Sequence, residues 1–475
     1  MNDSRDDRPD EYSDEPERNP LEEILSAFLG PEAAAEAAKQ FSLQGFDLSS
    51  MADAFGAGSN PVPLGQLQYL FQSTTGPINW RMVEDLAKQH AFQADREPIG
   101  FTETRLVNDA LQIADLWLSQ VTDFTVSDAN FETWIKVDWV TQTLPAWKQI
   151  CEPVAANASR ALTEALQSEM GEAEDRGLPP EIQQLAGSLS TALPRMSGLA
   201  FGSQIGQALG AMSEHSFGPF DSGLPLARPG TTALVFYNIM EFTEGLTTDP
   251  REVLWYIAIR ESAHSRLFAS VPWLQADLLQ AITRYSQEIR IDTEAIAESA
   301  RSFDFQDPES LNRAMSEGVF SPEPTEAQQR ALTRIETLLA LIEGWVEVVT
   351  AEAGRDYLPD LDKMQELMRR RRVSGSNGEQ LLAQLVGLHL RPRQARNAAK
   401  LWRLVQDASG PDGRDALWAH PDLIPTAQEL ADPEIFLATR EAANDTTDEF
   451  DEALEKLLDG TLGWADGLEP PTDDK

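Results

Sequence analysis

The sequence contains little cysteine, few basic residues and no long apolar run, and each shortage excludes a class of protein. Cys151 is the only cysteine among 475 residues, so no internal disulfide can form, and a reducing compartment is expected. The N-terminus lacks the apolar segment of a secretory signal. The most membrane-like stretch, residues 196–212, contains Ser203 and Gln207 and is too short to span a bilayer. These absences predict a cytoplasmic protein with no membrane segment.

Basic residues number 38 against 78 acidic ones, which gives a net charge of −40. Repulsion between this charge and a phosphate backbone makes nucleic acid an unfavourable partner, and we expect none. The acidic excess is concentrated at the two ends of the chain, residues 1–20 and 433–475. Composition predicts disordered acidic tails there.

Several familiar catalytic patterns are missing as well. No G-x-S-x-G elbow occurs, so a serine hydrolase of that type is excluded. Glycines recur every four residues from Gly198 to Gly210, without the spacing of a phosphate-binding loop. Each costs about 1 kcal/mol relative to alanine inside a helix, so we interpret the stripe as a close helix–helix contact.

Apolar residues recur mostly at helical spacing from Gln66 onwards, which predicts a mainly α protein. Residues 231–239 are the best strand candidate, so we expect at most a small sheet near residues 217–240. Trp134, Trp139 and Trp147 are assigned to the core of helical segments. The predicted order is a disordered tail (1–20), short helices with a Gly/Pro-rich linker (21–65), an N-terminal helical subdomain (66–175), a second helical domain (176–432) and an acidic tail (433–475).

One helix, predicted over residues 250–270, has ionisable side chains on its apolar face. Asp249 can cap its N-terminus, Pro250 suits its first turn, and Glu252 can reach back to the cap nitrogen. Glu261 and His264 fall on the same face as the apolar residues of this helix. An unpaired charge there is costly, so both side chains require partners.

Residues 260–264 read Arg-Glu-Ser-Ala-His, one residue away from the motif H-E-x-x-H. In that motif two histidines four residues apart hold zinc, and the glutamate activates water. Glu261 occupies the position of the general base and His264 that of the second histidine. Arg260 stands at the first, where its guanidinium has no lone pair for a metal. It can instead form an ion pair with Glu261 or Glu343.

A second helix is predicted over residues 326–353, with Thr325 and Gln328 as a capping box. Glu343 lies near its apolar stripe and is the candidate for a third metal ligand, whereas Glu347 is assigned to the solvated side. His215 or His389 could complete a nonstandard ligand set. The strand before residue 240 could lie beside this site and pair with an extended peptide.

Basic residues are concentrated in one part of this acidic chain. The candidate anion-binding residues are Arg369, Arg370, Arg371, Arg372, Arg391 and Arg393, followed by Arg396, Lys400 and Arg403. One interpretation is a solvated helix end whose arginines pair with acidic segments of the same chain. The other is a site for an anionic ligand or an acidic peptide.

At these motifs the sequence resembles the zincin-like metallopeptidases, described as zinc-dependent metalloproteases or hydrolases. The resemblance covers residues 60–432 and is carried by residues 76–80, 138–147, 261–274, 343–345, 388–393 and 413–418. It implies a zincin-like multi-helix domain over residues 176–432. It also implies that Glu261 is the catalytic glutamate, and that His264 and Glu343 are zinc ligands.

Arg260 departs from the family pattern, which makes zinc binding absent or weak in the leading hypothesis. That hypothesis is a catalytically degenerate zincin that acts by binding or scaffolding, with a peptide or protein as its partner. One alternative is an active metal-dependent peptidase with a rearranged ligand set. Another is an acidic adaptor protein that works through its surface.

Overall fold

The chain is mainly helical in a computed structural model that describes residues 76–95, 98–175, 198–199, 201–288, 325–373, 394–438 and 440. This confirms the predicted fold class. The predicted segments 1–20 and 21–65 lie outside the described residues, as do residues 441–475. Residues 433–438, assigned above to the acidic tail, are helical, and Phe436 is buried.

The described residues fall into two compact units. The first contains residues 76–79, 159–175 and 198–199, where the Asn79 amide donates to the Gly198 carbonyl at 3.3 Å. The second contains the remaining described residues, among them Arg260, Glu261, His264 and Glu343. The boundary predicted after residue 175 falls where the described stretch ends and stays a prediction.

Helices account for nearly all the regular structure in the described residues. The main ones are α1 (Trp80–Ala94), α2 (Phe101–Leu118), α3 (Lys136–Asp175), α4 (residues 201–213), α5 (Phe236–Thr243), α6 (Pro250–Ser270), α7 (Pro272–Gln287), α8 (Glu326–Gly354), α9 (Leu361–Val373), α10 (Ala395–Ala416) and α11 (Ala427–Ala431), and residues 433–438 are helical as well. A short 3-10 helix, Leu417–Ala419, follows α10, which is interrupted at Gly410 with a φ of 74°.

Helix α6 is the central element of the second unit. Its residues 256–267 are all buried, which is typical of a helix surrounded by others rather than one with a solvated face. It packs against α2 on one side and α8 on another, and α8 packs in turn against α7 and α10. The polar side chains among residues 260–266 of α6 therefore lie inside the protein, where a hydrogen-bond partner is expected for each.

Both predicted N-terminal caps are present, and they explain why α6 and α8 begin where they do. The Asp249 side chain accepts from the Arg251 amide at 2.9 Å, and Pro250 occupies the first turn. The capping box of Thr325 and Gln328 forms in both directions. The prediction for Glu252 is wrong, because its carboxylate accepts from the Asp360 amide instead of the cap nitrogen.

The sheet has two parallel strands, β1 (Asn130–Trp134) and β2 (Thr231–Val235), paired in register from Asn130 with Thr231 to Trp134 with Val235. The prediction of a small sheet near residues 217–240 is confirmed. The strand predicted over residues 231–239 is shorter than expected, because it ends at Val235 and α5 begins at Phe236. Trp134 was predicted to be helical and is instead the last residue of β1. It is nevertheless buried, as predicted.

The glycine stripe packs closely, as predicted. A Cβ on Gly206 would lie 2.9 Å from Leu86 Cβ, and one on Gly210 would lie 2.6 Å from His90 Cβ, so both glycines allow α4 to approach α1. Within the described residues, every helix is too short or too polar to cross a lipid bilayer.

Candidate functional site

The site is built where α6 crosses α8 in the buried centre of the second unit. Arg260, Glu261 and His264 project from α6, and Glu343 projects from α8; all four are at most 8% exposed. Arg260 therefore points into the protein and not to solvent. Glu343, predicted as the third ligand from its place near the apolar stripe, does lie beside His264.

Glu343 bridges the two other side chains with its two carboxylate oxygens. The Arg260 Nη2 donates to Oε2 at 2.9 Å, and His264 Nε2 lies 3.0 Å from Oε1. Of the two ion pairs predicted for Arg260, the structure has the one with Glu343. The guanidinium thus links α6 to α8 from the position where a zinc histidine would stand.

The orientation of the His264 ring is set by the groups that its two nitrogens contact. Its Nδ1 lies 2.9 Å from the Arg260 carbonyl oxygen, which can only accept, so Nδ1 carries a hydrogen. Nε2 then faces a carboxylate oxygen of Glu343, and because two bare acceptors repel, a proton lies between them. Metal-binding histidines also fix their tautomer through the outer nitrogen, with the inner one directed at the ligand position.

The donor set at this position does not fit a catalytic zinc ion. Such an ion needs three protein ligands and an open position, whereas here Arg260 brings a fixed positive charge and no lone pair. No three His, Cys, Asp or Glu side chains lie close enough to hold a metal within the residues that the structure describes. The His215 side chain is exposed, and His389 lies outside the described residues.

Glu261 turns away from Arg260 and meets a turn of the main chain. The Phe220 amide donates to Glu261 Oε2 at 2.9 Å. Burial raises the pKa of Glu261 to about 8, and the Asp221 charge adds to this, while the Phe220 amide, Arg260 and Arg371 act in the opposite direction. A neutral Glu261 at pH 7 is a poor general base, and its oxygen already holds a backbone donor.

The pKa of Glu261 predicts a pH-dependent stability. Because the folded protein holds a proton up to about pH 8 that the unfolded chain releases near pH 4.5, unfolding free energy falls as pH rises through this window. The loss is about 1.4 kcal/mol per pH unit and levels off above the folded pKa. We expect Glu261→Gln to remove this slope in thermal melts between pH 6 and 9. An unchanged slope in this variant would contradict the attribution of the pH dependence to Glu261.

The turn that reaches Glu261, residues 217–221, is held by hydrogen bonds at its first two residues. The Phe217 carbonyl accepts from the Val235 amide of β2 at 2.8 Å, and the Gly218 carbonyl accepts from Trp139 Nε1 at 3.1 Å. A Cβ on Gly218 would lie 2.4 Å from Glu261 Oε2, so the turn needs glycine there. Strand β2 thus pairs with β1 and is bonded through its Val235 amide to Phe217. Pairing of an extended peptide with this strand stays a prediction.

Arg371 holds the far end of this turn. Its guanidinium donates to both Asp221 carboxylate oxygens at 2.8 Å and to the His215 carbonyl at 2.7 Å, and it lies 4.0 Å above the Phe217 ring. The Phe220 ring stacks against His264 with centroids 6.0 Å apart. This turn could not be recognised from the sequence, because its contact with Glu261 is made by a backbone amide.

A buried ion pair fixes the neighbouring turn of α8. Arg414 is fully buried and donates to Asp415 at 2.7 and 3.0 Å, and Asp415 accepts from Trp345 Nε1 at 2.8 Å and Thr122 Oγ1 at 2.5 Å. Trp345 follows Glu343 by two residues, so this cluster helps to set the position of the bridging carboxylate. Both residues of this ion pair lie in residues 413–418, a segment that carries part of the family resemblance. Their contacts with Thr122 and Trp345 could not be read from the sequence.

The three predicted anion-binding arginines whose side chains are described bond to three different carboxylates. Arg369 bonds to Glu347, Arg370 to Glu366, and Arg371 to Asp221. The Arg372 side chain, Arg391 and Arg393 lie outside the described residues. Pairing with acidic residues of the same chain is thus present at three of the six positions, and anion binding stays a prediction.

Comparison with known proteins supports the fold and gives the family of this chain. A crystal structure from Chloroflexus aurantiacus, described as a candidate hydrolase with a novel fold, superposes with a TM-score of 0.53 at 17% identity. The alignment covers 77% of this chain and 99% of that one, and the likeness concerns the fold. No curated protein matches the sequence. Residues 78–437 match the zincin-like metallopeptidase family, and the chain therefore belongs to that family.

Proposed function

We propose that this protein is a degenerate zincin that acts by binding a peptide or protein partner and not by orthodox zinc proteolysis. The observation that carries the proposal is the Glu343 bridge, which contacts Arg260 through one oxygen and His264 through the other. Both oxygens of the third candidate ligand are therefore engaged. A cation that can never be deprotonated occupies the first ligand position.

The environment of Glu261 supports the same proposal independently. A zincin glutamate must reach a water molecule on the metal, whereas Glu261 is 3% exposed and accepts a hydrogen bond from the Phe220 amide. The Phe220 ring lies against His264, so the same turn covers both residues. The proposed loss of proteolysis thus has two local causes, one in the ligand set and one at the base.

The class of partner that we propose follows from the net charge of the chain. A net charge of −40 disfavours nucleic acid, so we assign the binding role to a peptide or protein surface. The single cysteine, which is buried, supports a reducing compartment, and the cytoplasm is the location that this proposal assigns.

Metal content and peptidase activity test the proposal directly. Purified full-length protein, incubated with zinc and then dialysed, is expected to retain well below one zinc per chain by elemental analysis. Casein and unstructured peptides are expected to be cleaved no faster with zinc than with a chelator. The physical reason is that two donors beside a guanidinium cannot hold zinc against dilution.

The control pair is His264→Gln and His420→Gln. His420 is largely exposed and lies outside the site, so its replacement removes one histidine without touching Glu343. One zinc per chain that His264→Gln abolishes and His420→Gln keeps, together with peptide cleavage, would overturn the proposal. That result would favour an active peptidase with a rearranged ligand set.

A further inference from the structure

A surface on α9 and α10 holds arginines side by side, anchored on α8 one helical turn beyond the Glu343 bridge. Arg369 Nη2 on α9 and Arg403 Nη2 on α10 both donate to Glu347 Oε1, at 2.7 and 2.8 Å. Since they share one oxygen, these two nitrogens are at most about 5.5 Å apart. Glu347, predicted to be solvated, is instead the anchor that places two like charges next to each other.

Both guanidiniums remain accessible. The Arg369 side chain is 30% exposed and that of Arg403 is 46% exposed, whereas Glu347 beneath them is only 13% exposed. Burial acts to raise the pKa of Glu347, but the hydrogen bond from Arg369 and the charges of Arg369, Arg403 and Arg260 outweigh it and lower that pKa. The carboxylate thus stays ionised and keeps both arginines in place. Arginine has five N–H donors, and Arg403 uses one of them here.

Two further arginines extend the surface. Arg370 is 75% exposed and bonds to Glu366 at 2.8 Å. The hydrogen bond from Arg370 is the main cause of the lowered pKa of Glu366, and the charges of Arg370, Arg369 and Arg396 contribute as well, which puts Arg396 in the same neighbourhood. We call Arg369, Arg370, Arg396 and Arg403 the α9–α10 arginine surface.

The charge balance of this surface favours a compact anion. Its four arginines face two carboxylates, Glu347 and Glu366, which leaves a local charge of +2 in a chain of net charge −40. Screening limits this attraction to about 8 Å at physiological salt. A small dianion can lie wholly within that range, whereas a long polyanion would extend over the acidic remainder of the protein.

We propose that the α9–α10 arginine surface binds a phosphoryl group, carried by a small molecule or by a phosphorylated side chain of a partner. A phosphoryl group carries a charge of about −1.5 to −2 and three acceptor oxygens, so it can meet guanidiniums from two helices at once. A single carboxylate has one charge and is already supplied by Glu347. Planar guanidinium donors suit phosphate oxygens through paired hydrogen bonds.

Calorimetric titration of the full chain at low, constant ionic strength tests the proposal with two probes, inorganic phosphate and a phosphoserine peptide. An unphosphorylated copy of the peptide is the blank. We expect saturable binding of at least one probe, and at least a tenfold weakening in Arg403→Gln and in Arg370→Gln. Arg403→Lys should weaken binding less than Arg403→Gln because it keeps the charge.

The matched control is Arg330→Gln, which removes an arginine that is 74% exposed and ion-paired on α8 but lies outside the surface. It should bind like the wild type. Binding of the peptide alone would identify a phosphorylated partner, and binding of phosphate alone a small ligand. No saturable binding of either probe, or equal losses in Arg330→Gln and Arg403→Gln, would overturn the proposal. None of these outcomes depends on zinc, so the proposed function is tested separately.

Discussion

Arg260→His is expected to turn this protein into a zinc-binding protein. The substitution removes the guanidinium and supplies an imidazole one helical turn from His264, which restores the spacing H-E-x-x-H. Glu343 already lies 3.0 Å from His264 Nε2 and, once freed from Arg260, can serve as the third ligand. Three such ligands should give a Kd of about 1 µM or lower, which corresponds to about −8 kcal/mol of binding free energy.

Competition with a chromogenic chelator measures this affinity, and thermal melts provide a second readout. Zinc at a hundred times its Kd should stabilise R260H by about 2.7 kcal/mol and leave the wild type unchanged. The double variant R260H/H264A should lose the effect, because it returns the site to two ligands. If R260H binds zinc no better than the wild type, then Glu343 and His264 are not arranged as a ligand pair.

Peptide cleavage is not expected to return with zinc in R260H alone. The Phe220 amide would still occupy Glu261 Oε2, and the Phe220 ring would still cover His264. The ligand set and the access of water are thus separate features of the site. We therefore expect one substitution to suffice for metal binding but not for access of water to Glu261, because the turn over Glu261 is built from backbone contacts.

The N-termini of helices α6 and α8, which carry the site, were predictable because each is determined by residues next to it in the sequence. Asp249 with Pro250, and Thr325 with Gln328, act within one turn of the helix that they begin, so the sequence alone reveals them. The proximity of Glu343 to His264 was also predictable, although only as one of several pairings. It rests on the rule that ionisable residues on an apolar face need partners.

The remaining contacts were not predictable because they join distant segments. Strand β1 pairs with β2 about a hundred residues further along, and its own five residues alternate too weakly to indicate a strand. The donor to Glu261 is the backbone of Phe220, which any residue type could supply. Glu347 looked solvated from its helical phase, yet two arginines from later helices cover it.

Arg260→Met is expected to lower the free energy of unfolding by up to about 3–5 kcal/mol, since it removes the guanidinium from the buried Glu343 carboxylate and leaves His264 as the contact on its other oxygen. Glu343 is only 8% exposed, so water has little access to replace the hydrogen bond lost with Arg260. Methionine has a similar length and leaves no large cavity, so the loss reports on charge more than on packing. Urea denaturation at pH 7 measures it.

A double-mutant cycle separates the ion pair from the rest of the site. The variant R260M/E343Q should be more stable than the sum of the two single losses predicts, by about 0.5–3 kcal/mol, because neither charge then remains unpaired. Arg330→Met is the matched control: it removes an arginine from an exposed pair with Glu326 and should cost less than about 1 kcal/mol. Equal losses in R260M and R330M would mean that Arg260 does not link α6 to α8.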